Sequence, residues 1–197
     1  MRSSITIVAA AVFLTVFSTG RAGAQERGDV GITMGYPAAV GVLFHISDSL
    51  AIRPEASFTT ASSDITLTSS SSTLYGVGIS ALLYVKRWDA LRAYVVPRYA
   101  YQHGTSTSTL DLNLPVTLPI NLPDVETKTT IDQHSFGGAF GAQYALHAHF
   151  GVFGEVGGAY TISKTSSSLS IPLPDSRSNP TGHSFALRSS AGVIFYF

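Results

Sequence analysis

Apolar side chains recur at every second position in eight stretches of this 197-residue chain. That period fits a β-strand and excludes an amphipathic helix, whose apolar stripe returns every three to four residues. The last stretch is the clearest. Phe185, Leu187, Val193, Phe195 and Phe197 fall on one side, and Ser184, Arg188, Ser190 and Gly192 on the other. The other seven run over 28–36, 38–46, 50–61, 73–86, 91–103, 132–146 and 150–163, the first being the weakest. Pro54 and Pro97 sit inside two of them. Each removes a ladder donor, so a bulge or local distortion is expected at both.

The connections alternate in length. Short turns fall at 47–49, 87–90 and 147–149, and long Ser/Thr/Pro-rich connections at 62–72, 104–131 and 164–182. One short connection, at Pro37, lies at the long-loop end. Eight strands bring both termini to the short-turn end. An even number of antiparallel strands with this rhythm suits a barrel that crosses a membrane, where each strand needs about 9–11 residues. Composition favours apolar faces toward lipid over a soluble barrel with an apolar interior. Only 12 % of residues are charged, against a usual ~25 %. Gly, Ala and Ser dominate the polar faces, which suits a narrow interior, and aromatics gather near strand ends as in an interfacial girdle. Such a sheet must close, because lipid cannot satisfy an open edge. The last strand is therefore expected to pair with the first.

The start of the chain reads differently. Arg2 precedes an apolar run from Ile5 to Phe17, and Ala22-Gly23-Ala24 has the small-x-small form of a cleavage site. The run is too short for an ordinary spanning helix of ~20 residues. Residues 1–24 are expected to be a cleaved export signal and 25–197 one barrel domain. Removing Arg2 and Arg21 from the 12 basic residues leaves 10 against 12 acidic ones, a net of −2 with histidine neutral. No concentrated basic face points to nucleic acid. The absence of cysteine decides little in an exported domain of this size.

Three segments, "LFHISDSLAIRPEASF" at 43–58, "HFGVFGEVGGAY" at 149–160 and "GVIFYF" at 192–197, resemble the small eight-stranded outer-membrane barrels of the OmpA/OmpX type. The resemblance covers 28–197. It implies an all-β, eight-stranded antiparallel up-and-down transmembrane β-barrel in the outer membrane of a diderm bacterium, surrounded by outer-membrane lipid. It also implies that the terminal aromatic strand, with Phe195 and Phe197, is the signal read by the barrel-assembly machinery. These motifs specify a fold more than a function. No peptidoglycan-binding domain is expected beyond the barrel.

The polar faces carry Arg53, Glu55, Arg92, Arg98, Glu155 and Arg188, with Lys86 toward the short-turn end. Charge in a narrow lumen is costly unless paired. Glu155 with Arg188, on adjacent strands, is the first pair expected, and Glu55 with Arg53 or Arg98 the second. Such pairs either plug the lumen or gate a pore. An eight-stranded interior is barely wide enough for its own side chains, which favours the plug. So many arginines also argue against a raised carboxyl pKa, and hence against acid–base chemistry by Glu55 and Glu155.

His134-Ser135 and His183-Ser184 invite comparison with the lipid A deacylase barrels, whose pattern places a His two residues before a Ser-Asn. Neither site has that spacing or the Asn. By alternation, the His and Ser of each pair face opposite ways, so no triad converges. His147 and His149 share a face but make a weak metal signal. No catalytic residue, cofactor or metal is expected. "LDLNLPVTLPINLPD" at 110–124 and "LSIPLPD" at 169–175 read as strands carried past the membrane to Pro-rich tips. They suit an extracellular protein or glycan partner, or a shield for the surface. A non-catalytic structural or surface-interaction protein is the function expected first. A narrow gated channel for ions or small solutes and a lipid A-modifying enzyme are the alternatives.

Overall fold

The computed structural model describes residues 28–36, 39–65, 68–110, 125–170 and 180–197. The expected export signal, the connection at Pro37 and the Leu-Pro-Asp tips lie outside these residues. Eight strands follow one another: β1 Val30–Tyr36, β2 Ala39–Ser47, β3 Leu50–Ile65, β4 Thr68–Arg87, β5 Leu91–Leu110, β6 Val125–His147, β7 Phe150–Leu169 and β8 Thr181–Tyr196. Each pairs antiparallel with the next, and β8 returns to β1, closing the barrel. The closing ladder runs from Gly31↔Tyr196 to Tyr36↔Ala191. Beyond it, the Phe197 N–H donates to Val30 O at 3.1 Å. Phe195 lies between Ile32 and Phe150.

Alternation along each strand becomes an inside and an outside. Met34, Val40, Phe44, Ile79, Phe140 and Val156 are exposed on the outer wall, while Leu43, Leu82, Tyr94, Val96 and Ile194, on the opposite parity, are buried. An apolar wall around a lumen of small and polar residues is stable in lipid, where the outer side chains meet acyl chains.

Two features depart from the sequence expectation. The strands run further than their apolar alternation does. The β3–β4 ladder continues to Ile65↔Thr68, and the β5–β6 ladder to Leu110↔Val125. Residues 62–65, 68–72, 104–110, 125–131 and 164–169, read as loop, are strand. They are polar on both faces, so hydrophobic period gives no signal there. Thr nonetheless suits a pleated surface, and hydroxyls bond across strands, as Thr129 Oγ1 and Ser167 Oγ do at 3.2 Å.

The prolines cause no bulge. Register is the same on both sides of Pro54 and Pro97; only the pairing toward β2 and toward β4, respectively, is interrupted there. The missing N–H costs a bond on one side without adding a residue. Bulges fall instead beside the short turns, at His45/Ser47, Tyr84/Lys86 and Ala145/His147, where extra twist helps the chain reverse.

The wall is uneven in height. Strands β4 to β7 have 20, 20, 23 and 20 residues, whereas β1 has 7 and β2 has 9.

Candidate functional site

The charged residues of the inner face gather around one side chain. Arg53, on β3, is buried, with 3 % of its side chain exposed. Its Nε donates to Glu55 Oε1 at 2.6 Å. Across the lumen, its Nη1 and Nη2 meet Glu155 Oε1 and Oε2 on β7 at 2.8 and 3.1 Å. This bidentate fork is the geometry in which a guanidinium binds a carboxylate most strongly. The Glu155 carboxylate also accepts from the Tyr94 and Ser190 hydroxyls, each at 3.1 Å. Arg98 Nη2 lies 2.5 Å from Glu55 Oε2. Arg53 further lies over the Phe153 ring, 5.1 Å from its centroid. Both carboxylates are thus held by arginines across and along the lumen.

Glu155 therefore pairs with Arg53 and not with Arg188. The expected pairing rests on β7 and β8 being neighbours, but their register sets Ser190 opposite Glu155 and Arg188 opposite Gly157, one inward position higher. Arg188 is exposed and makes no ion pair among the described residues. Arg92 lies lower, over the Tyr84 ring at 5.5 Å. Lys86 leaves the lumen. The register shift after Tyr84 pairs it with Ala93, on the outward parity, where its ammonium lies 5.9 Å from the Trp88 ring centroid.

Below the ion pairs, four side chains from alternate strands cross the barrel. The Tyr84 hydroxyl (β4) donates to Gln143 Oε1 (β6) at 3.1 Å, which leaves it to accept from His45 Nε2 (β2) at 3.0 Å. Gln143 Nε2 donates in turn to the Tyr196 hydroxyl (β8). Leu43, Leu82 and Ile194 are buried around this septum. Sequence reading missed it, although Tyr84 and Tyr196 stand out as large rings on inward faces.

Above the ion pairs the lumen widens into a cavity of about 470 Å³, reached by Arg98, Arg188, Gln102 and Ser135. On the outer wall at this level, Tyr99 bonds His134 Nδ1 at 2.9 Å and Tyr160 bonds His183 Nδ1 at 3.0 Å. Ser135 bonds inward to Thr161 at 2.8 Å. His and Ser diverge, and these Tyr–His pairs have the amphipathic character of an interfacial girdle.

A closed eight-stranded wall, apolar outside and ion-paired within, narrows the comparison to membrane barrels. The family model described as outer membrane protein beta-barrel domain matches residues 9–191. The chain belongs to that family. Solved structures resemble this outer-membrane barrel in fold. A major outer membrane protein from Thermus thermophilus aligns with a TM-score of 0.56 and 13 % identity over 86 % of this chain and 98 % of that one. Acinetobacter baumannii CarO2 gives 0.48 and 14 % over 86 % and 97 %. Ail, the attachment invasion locus protein of Yersinia pestis, gives 0.42 and 10 % over 86 % and 97 %. A search of curated protein sequences found no match. The protein is a bacterial outer-membrane barrel.

Proposed function

We propose that this outer-membrane barrel is a non-catalytic surface protein, with a plugged lumen as its foundation and the raised part of its sheet as the working surface. One observation carries this reading. Strands β4 to β7 have 20–23 residues, where about 9–11 suffice to cross. Roughly half of each stands beyond lipid as a hydrogen-bonded sheet rich in Ser and Thr, with few charges. A surface of that kind meets an extracellular protein or glycan through hydrogen bonds rather than charge. The septum and the Arg53 ion pairs favour a plug over a gated channel. The opposed His and Ser side chains disfavour a lipid A-modifying enzyme. Phe195 and Phe197 act earlier, as the strand that the barrel-assembly machinery engages before β8 closes on β1.

The test is to replace residues 106–129 by a two-residue turn closing on the Thr105↔Thr130 pair. The trimmed barrel should keep the heat-dependent gel shift of a folded barrel. Cells displaying it should lose binding to immobilised glycans or extracellular-matrix proteins that cells with the intact barrel retain. Equal binding by both, or none by either, overturns the proposal.

A further inference from the structure

The barrel wall has a gap. β1 stops at Tyr36, opposite Ala191, and β2 begins at Ala39, opposite Ser57. On either side β8 continues to Thr181 and β3 to Ile65, each paired along one edge only. Seven residues of β1, at ~3.3 Å each and a tilt of 35–45°, climb roughly 18 Å, whereas the apolar band is about 25 Å tall. The gap therefore opens within the outer leaflet. Large apolar residues flank it on the lipid side, among them Leu187 at 83 % exposure, Tyr36 at 79 % and Phe185 at 70 %.

The cavity above the ion pairs reaches this gap. Its wall includes Gln102 and Ser135 from the lumen and also Leu187 and Ser189, which lie on the outward parity of β8. The wall also takes in Tyr36 and Ala39, where β1 and β2 end, and Thr59 on β3, so the cavity borders the gap. Arg188 stands on its β8 edge. The upper lumen holds Arg53, Arg98 and Arg188 against Glu55 and Glu155, and the glutamates are taken by the first two arginines. Among the described residues, Arg188 is the cation in excess. Beside it, the backbone of β8 has no second strand to bond among the described residues, at a depth where acyl chains offer no acceptor.

We propose that the gap binds the phosphate group of an anionic amphiphile entering sideways from the outer leaflet. The phosphate sits on Arg188 and the free β8 edge, and the acyl chains stay in lipid against Leu187 and Phe185. A guanidinium beside unpaired N–H groups suits a group with several acceptor oxygens.

The test uses the whole barrel in dodecyl maltoside, titrated calorimetrically with phosphatidylglycerol, with phosphatidylcholine and with inorganic phosphate, and native mass spectrometry to count bound lipid. One phosphatidylglycerol per barrel is expected. Arg188→Ala should weaken it about tenfold or more, with partial rescue by Arg188→Lys, as for loss of a charged hydrogen-bond donor. Equal affinity in wild type and Arg188→Ala, or no preference for phosphatidylglycerol over phosphatidylcholine, overturns the site. Inorganic phosphate binding as tightly as the lipid overturns sideways entry and leaves a soluble-phosphate site. If Arg188→Ala loses the heat-dependent gel shift, Leu187→Glu decides: a carboxylate on the lip should repel phosphatidylglycerol, and unchanged binding counts against the proposal.

Discussion

Arg53 neutralises two glutamates on strands that are not neighbours, and so ties β3 to β7 across the lumen. Truncating it leaves the Glu155 carboxylate buried without its cation. Arg53→Ala is expected to destabilise the folded barrel by about 3–5 kcal/mol, read as a lower urea midpoint in liposomes. A second titratable group lies beyond the lipid band. Asp132 pairs with His103, the thirteenth position of β5. Hydrogen bonds from His103 and Tyr101, each at 2.7 Å, hold its carboxyl below the ordinary value of 3.8. Because the folded-state value is depressed, its contribution is complete above the ordinary value and is lost as pH falls through the folded one. Hydrogen-exchange protection in the β5–β6 extension should therefore drop in acid, and Asp132→Asn should abolish that acid step. At this scale the sequence identified the charged residues but paired one of them wrongly. Glu155 and Arg188 are on adjacent strands, yet the β7–β8 register sets Ser190 opposite Glu155 and leaves Arg188 opposite Gly157.

Glycines are interspersed among the larger inward side chains of β4, β6 and β7, among them Gly78, Gly137, Gly141 and Gly157. On β7, a Cβ at Gly157 would meet the Gly138 carbonyl and Ala139 of β6, whereas at Gly154, on the outer face, it would meet nothing within 4 Å. Gly157→Ala is expected to cost about 1–3 kcal/mol through overpacking. Gly154→Ala should stay within about 0.5 kcal/mol. Unfolding midpoints of the two variants compare them on one strand. Element boundaries were legible at the short turns and illegible at the far ends. Apolar alternation marks where a strand meets lipid, and it fades where both faces meet water, as in the Ser/Thr stretches 62–65, 68–72 and 104–110.

Among the described residues the barrel has two closures in series, the Arg53 ion pairs and the Tyr84–Gln143 septum beneath them. Wild type and Arg53→Ala are both expected to be silent in planar bilayers. Conductance should appear only when Tyr84→Ala is combined with Arg53→Ala. Steady current through wild type would sink the plug. The sequence by itself determined the eight strands, their short turns and the face that meets lipid, because a two-residue period and a turn are properties of neighbouring residues. The partner of Glu155, the septum and the gap above β1 and β2 were decided only by tertiary structure. Each depends on the stagger between strands and on where distant strands end, and both follow from closing the whole ring at once.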